Sequence, residues 1–124
     1  MKIGELAERT GVSHRTIHYY ERLGLLKPHE REGAGYRYFD DEAAQRLEKI
    51  GALKKIGLSL DEIATVIDLY FEDPTGIRGK RRVLEILKCQ LDETDNKLTE
   101  LGRFRSDIET NIAKIESLIQ QSKR

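Results

Sequence analysis

The chain has 124 residues, with 22 Lys+Arg balanced by 22 Asp+Glu, so its formal net charge is zero. Charged residues reach 35% and hydrophobic ones only 38%, a balance that suits long exposed helices better than a thick core. Zero net charge excludes an indiscriminately basic nucleic-acid binder, and the single cysteine, Cys89, excludes an internal disulfide framework or an all-cysteine metal site within one subunit.

The segment IGELAERTGVS places Ile3, Leu6 and Ala7 on one face of a short helix that Gly11 stops. Ser13 is suited to N-cap a second helix, with Ile17, Tyr20 and Leu23 as its buried face and Gly24 and Pro28 as its end. Two short helices joined by a tight glycine-containing turn form a helix-turn-helix. In HEREGAGYRYF the residues 32–35 make a turn, and Tyr36, Tyr38 and Phe39 favour strand, so a small hairpin is expected to project from the helices.

Asp40 or Asp41 then caps a third helix with Ala44, Leu47, Ile50 and Leu53 at helical spacing, closed by Gly57. Ser59 and Glu62 have the form of a capping box ahead of a fourth helix carrying Ile63, Val66, Ile67 and Tyr70. Asp73, Pro74, Thr75 and Gly76 make the one convincing boundary, dividing the chain into residues 1–75 and 76–124.

Beyond it there is neither Pro nor a turn cluster. Leu84, Leu87, Leu91, Thr94, Leu98, Leu101, Arg105, Ile108, Ile112, Ile115 and Ile119 alternate at three and four residues, the register of a coiled coil. A helix of about 43 residues would be roughly 65 Å long, too long for the first segment to cover. A partner helix is required, and a second copy is the simplest one. Thr94 and Arg105 interrupt the seam, either to fix its register or, for Arg105, because it lies at the rim while Phe104 turns inward. Gly102 is a weak point where the helix could bend.

Catalysis finds little footing. His14 and His18 stand one helical turn apart but lack a third ligand at metal-site spacing, so exposed polar residues are the simpler reading. Gly33 and Gly35 form no phosphate-binding pattern, no cofactor is implied, and an enzyme is not expected. Cys89 lies off the seam positions; it reads as a packing residue or, more sharply, as a redox sensor. Nucleic acid is where the residues converge. Ser13, His14, Arg15, Thr16, His18, Tyr19 and Arg22 gather donors and cations on the second helix, and the hairpin adds Arg31, Tyr36 and Arg37. Residues 1–56 hold 11 basic and 9 acidic side chains, so the asymmetry is mild and placement matters more than sum.

The runs IGELAERTGVS, TIHYYERLGLLKP, GYRYFD and SLDEI, followed by the long last helix, resemble the MerR family of bacterial transcription regulators. The resemblance implies a mainly α fold: a winged helix-turn-helix, a second helix pair and a dimerisation helix forming an antiparallel coiled coil. It implies a homodimer on double-stranded promoter DNA that bends or untwists it, reaching RNA polymerase only through the DNA. Arg15, Thr16, Tyr19 and Tyr20 from the recognition helix, Arg31, Tyr36 and Arg37 from the wing, and Lys54 from the third helix would contact DNA.

Two departures stand out. His18 replaces the family's usual arginine, which predicts weaker or more pH-dependent binding. The cysteines that metal-sensing relatives carry near the start of the long helix and after it have no counterpart in these residues, and a drug-binding domain after the long helix is not expected. The expectation is a regulator of the bacterial cytosol with an unidentified signal and no membrane partner. A constitutive repressor or architectural protein is the alternative, and a coiled-coil protein-interaction adaptor is disfavoured by the basic wing.

Overall fold

The computed structural model describes residues 1–27, 29–30 and 37–123, without the side chains of His29, Glu30 and Arg37. Five helices and one two-stranded sheet follow in order: α1 (Ile3–Thr10), α2 (His14–Arg22), β1 (His29–Glu30), β2 (Arg37–Tyr38), α3 (Asp41–Lys55), α4 (Leu60–Tyr70) and α5 (Ile77–Ser122). The strands pair antiparallel, His29 with Tyr38 and Glu30 with Arg37, as expected for a hairpin. Its turn, with Arg31 and Tyr36, and the stop at Pro28 lie outside the described residues.

The helix ends are chemically explicit. Gly11 closes α1 at φ 73°, where a side chain would be strained, and its N–H donates to the Ala7 carbonyl. The Ser13 hydroxyl accepts the Thr16 N–H at 3.1 Å, and Asp40, not Asp41, caps α3 by accepting the Ala43 N–H at 3.0 Å. Ser59 and Glu62 exchange hydrogen bonds of 2.9 and 3.1 Å, completing the capping box of α4.

Two compact units make up the chain, Met1–Val83 and Leu84–Arg124, so the first turns of α5 belong with the first unit. In that unit α1 packs on α2 and α3, and α3 packs on α4. Leu6, Ile17, Leu25, Leu26, Phe39, Ile50, Ile63 and Ile67 are almost completely buried in its core. Leu23 corrects the expected pattern: it is 43% exposed. It is the C-cap of α2, and the chain turns directly after it. The Leu25 N–H returns to the Tyr20 carbonyl at 2.9 Å, so Leu25 and Leu26 fill the space that a longer helix would have given to Leu23.

At the start of α5 the Asp73 carboxylate accepts the N–H groups of Thr75 and Gly76 at 2.8 and 3.0 Å, together with the Thr75 hydroxyl. Those bonds, led by the hydroxyl and joined by the nearby Arg78 charge, hold the Asp73 carboxyl below the usual carboxylate range. A lowered folded-state value makes the contribution complete above the unfolded value and lost as pH falls through the folded one. Asp73→Asn is therefore expected to lower the melting temperature at neutral pH and to flatten its acid limb, the variant converging with the parent as the pH falls below about 4. An acid limb identical to that of the parent chain would refute the cap.

The second unit is the rest of α5, unbroken through Gly102. Its apolar seam is open to solvent: Leu91, Leu98 and Leu101 are each about 60% exposed, and Leu84, Ile108, Ile112, Ile115 and Ile119 lie between 43% and 55%. Leu87 is half-buried. Phe104, at 63%, is equally uncovered and does not turn inward within the chain. Arg105 Nε pairs with Glu109 Oε1 of its own helix at 3.2 Å.

Candidate nucleic-acid interface

The second helix of the helix-turn-helix divides cleanly into two faces. Ile17 is fully buried and Tyr20 is 6% exposed, and both press into the core below α2. On the opposite side Ser13, His14, Arg15, His18, Tyr19 and Arg22 are exposed, with Thr16 half-buried among them. The period of 3.6 residues dictates this split, because the two apolar anchors lie three apart and everything charged falls elsewhere.

Within that face the side chains are ordered by each other. The Ser13 hydroxyl donates to Thr16 Oγ1 at 2.9 Å while accepting the Thr16 N–H, fixing the first turn. The Arg22 guanidinium stacks 5.7 Å from the centre of the Tyr19 ring. His18 Nδ1 lies 3.6 Å from Glu21 Oε1, so a protonated His18 has a carboxylate beside it. Arg15 is exposed and has no hydrogen-bond or ion-pair partner among the described residues, and no acidic residue occupies the first turn of α2. The helix N-terminus and Arg15 thus offer N–H donors and positive charge outward.

Of the other expected contacts, β2 carries Arg37 in the hairpin that follows α2, and Lys54 is exposed in the last turn of α3. Tyr20 had two expected roles, core packing and DNA contact. Its burial fits the first, since a ring 6% exposed spends its surface on the helix below and has little left for a ligand. Cys89 is exposed within the single chain.

A residue that sequence pattern did not single out holds the interface in place. The Arg46 side chain, 15% exposed, pairs with Asp68 at 2.8 Å and donates to the Leu25 carbonyl at 3.2 Å. It also lies 5.1 Å from the Phe71 ring. One guanidinium thereby ties the end of the helix-turn-helix to α3 and α4. A second tie joins α1 to α3, where Arg9 reaches Asp41 at 2.7 Å. The Phe39 N–H donates to the Met1 carbonyl at 2.6 Å, linking the end of the hairpin to the chain ahead of α1.

Among the described residues, no three His, Cys, Asp or Glu side chains gather as a metal site, and no helix is long and apolar enough to cross a membrane.

Comparison with known proteins agrees with this geometry. The family model of MerR helix-turn-helix regulatory proteins matches residues 1–69, and a second model, MerR DNA binding, matches residues 44–111. The nodulation protein NolA of Bradyrhizobium elkanii is 49% identical over 84% of this chain and 43% of its own length. The chain thus spans less than half of that relative. The transcriptional regulator HmrR of Rhizobium leguminosarum bv. viciae is 37% identical over 88% of this chain and 81% of its own.

Among solved structures, a lead(II)-bound transcription regulator from Ralstonia metallidurans superposes with a TM-score of 0.65 at 28% identity. That match covers 86% of this chain and 84% of the other. HiNmlR, a MerR family regulator lacking the sensor domain and bound to promoter DNA, gives 0.54 at 28% identity, over 79% and 77% of the two chains. By family model, sequence and fold, this chain belongs to the MerR family of DNA-binding transcription regulators, proteins that are not enzymes.

Proposed function

We propose that the chain acts as a homodimer on a promoter dyad, laying α2 in the major groove of each half-site and the hairpin beside it. The exposed face of α2 carries this reading: Arg15, Tyr19 and Arg22 point outward, while Ile17 and Tyr20 seat the helix on a rigid core. A recognition helix held this way can commit its side chains to DNA without first ordering its backbone. Arg15, Thr16 and Tyr19 are the proposed contacts from α2, Arg31, Tyr36 and Arg37 those from the hairpin, and Lys54 a flanking phosphate contact. Tyr20 acts from below, setting the height of α2.

The open seam of α5 supplies the reason for two copies, since a leucine and isoleucine stripe of this length is stable in water only when covered. HiNmlR, solved on promoter DNA, supports the choice of DNA as partner. Two half-sites joined by a stiff dimer can bend or untwist the duplex between them, which costs several kcal/mol drawn from phosphate contacts. RNA polymerase would feel the protein through that altered DNA.

Footprinting on the promoter of its own operon tests the proposal: protection of a dyad spanning about two helical turns is expected, with affinity falling steeply as salt rises. Arg15→Ala is expected to weaken binding by roughly tenfold to 100-fold, with a shallower salt slope if the lost contact is to phosphate. Binding that ignores both salt and Arg15 would point instead to the adaptor reading.

A further inference from the structure

The two polar interruptions of the α5 seam carry more information than the apolar positions around them. Leu84 takes an a position of the heptad and Leu87 a d position, which places Thr94 at d and Arg105 at a. In a parallel, in-register pair every residue meets its own copy, so two Arg105 guanidiniums would oppose each other inside the seam. In an antiparallel pair a positions face d positions, and Thr94 can then face Arg105.

We infer that α5 recognises a second copy of itself through this reciprocal Thr94–Arg105 match, which sets both the orientation and the register of the dimer; the inference rests on the homodimer reading above. Only one antiparallel register brings the two together, and its dyad lies between Leu98 and Leu101. That same register sets Leu98 against the partner subunit's Leu101, Leu91 against the partner subunit's Ile108 and Leu84 against the partner subunit's Ile115. Each aliphatic side chain, 43% to 62% exposed within one chain, finds an aliphatic one.

Donors and acceptors agree with the match. The Thr94 hydroxyl already donates to the Gln90 carbonyl of its own helix at 2.7 Å, so what it offers across the seam is an acceptor. A guanidinium offers only donors. Arg105 is 83% exposed in its side chain within one copy and is charge-balanced by Glu109 at 3.2 Å, so it enters the seam as part of a pair rather than as a bare cation.

The flanking positions agree as well. In this register Lys88 comes against the partner subunit's Glu109, an attractive contact made twice by symmetry. Sliding the helices by one heptad in one direction sets Asp95 against the partner subunit's Glu109; sliding them the other way sets Asp95 against the partner subunit's Asp95. Both shifts leave Thr94 and Arg105 facing aliphatic side chains. One arrangement therefore satisfies the polar pair, the apolar layers and the flanking charges together.

The test is a charge exchange in the full chain, read as the dimer dissociation constant by sedimentation equilibrium. Thr94→Arg alone sets cation against cation at two places and is expected to weaken the dimer roughly 100-fold or more. Adding Arg105→Glu in the same chain restores opposite charges across the seam and is expected to recover dimerisation to within about tenfold of the parent. A parallel pair, or any shifted register, gives no such recovery. A dimeric parent whose double variant stays as weak as Thr94→Arg overturns the register and leaves the homodimer standing. A parent that remains monomeric at all concentrations overturns the homodimer and this inference with it.

Discussion

Replacing Leu98 and Leu101 together with aspartate is expected to leave Met1–Val83 folded, to hold the chain monomeric, and to lower operator affinity at least about 100-fold. Both leucines are about 60% exposed in the single chain and belong to no part of the first unit's core, so the substitution removes nothing that unit depends on. In the dimer each buried leucine contributes about 1.5–3 kcal/mol, and two copies lose four of them while gaining four carboxylates near one another. The DNA effect follows from linkage: two coupled half-sites exceed one by roughly 100-fold to 10,000-fold in avidity, and a monomer forfeits that factor. Sedimentation and gel-shift titration on one preparation check both halves of the claim. A variant that stays monomeric yet binds the dyad within threefold of the parent would show that dimerisation is not what the open seam is for.

What the sequence made legible was local. Ser13, Asp40 and Ser59 each act on an N–H three residues away, so a short pattern encloses the whole interaction. Ile50, Ile63 and Ile67 announced their burial through helical period alone. The split of α2 into a core face and a donor face came from the same period.

The rest depends on contacts between elements. Arg46 reads in sequence as one more surface charge of α3; it is a tie only because Leu25 and Asp68, 21 and 22 residues away, converge on it. Leu23 continues the period of α2 on paper, but the helix ends at Arg22 and the turn hands its place to Leu25 and Leu26. Tyr20 illustrates the same limit from the side of function. Its neighbours in sequence place it beside Tyr19 on a recognition helix, while one hundred degrees of helical rotation put it in the core.

Gly79 is the sharpest case of a residue whose role only the fold reveals, and Gly79→Val is expected to lower the melting temperature of the first unit by roughly 10 °C. A Cβ at this position would stand 2.5 Å from Tyr70 Cδ2 and 2.6 Å from Cγ, closer than real contacts allow. The ring has little freedom to yield. Gly76 crowds its other edge, where a Cβ would be 3.2 Å from Cδ1, and Lys49 Nζ sits 4.5 Å from its centre. Overpacking of this kind typically costs about 1–3 kcal/mol, and a unit of this size loses about 4–8 °C per kcal/mol. Gly102 in the same helix supplies the contrast, since a Cβ there meets nothing within 4 Å. Gly102→Ala is expected to stabilise α5 by up to about 1 kcal/mol, through helix propensity alone. Calorimetry of the two variants against the parent should therefore move in opposite directions. A Gly79→Val chain that melts at the parent temperature would mean that the start of α5 does not rest against Tyr70, and that the first unit ends before this helix begins.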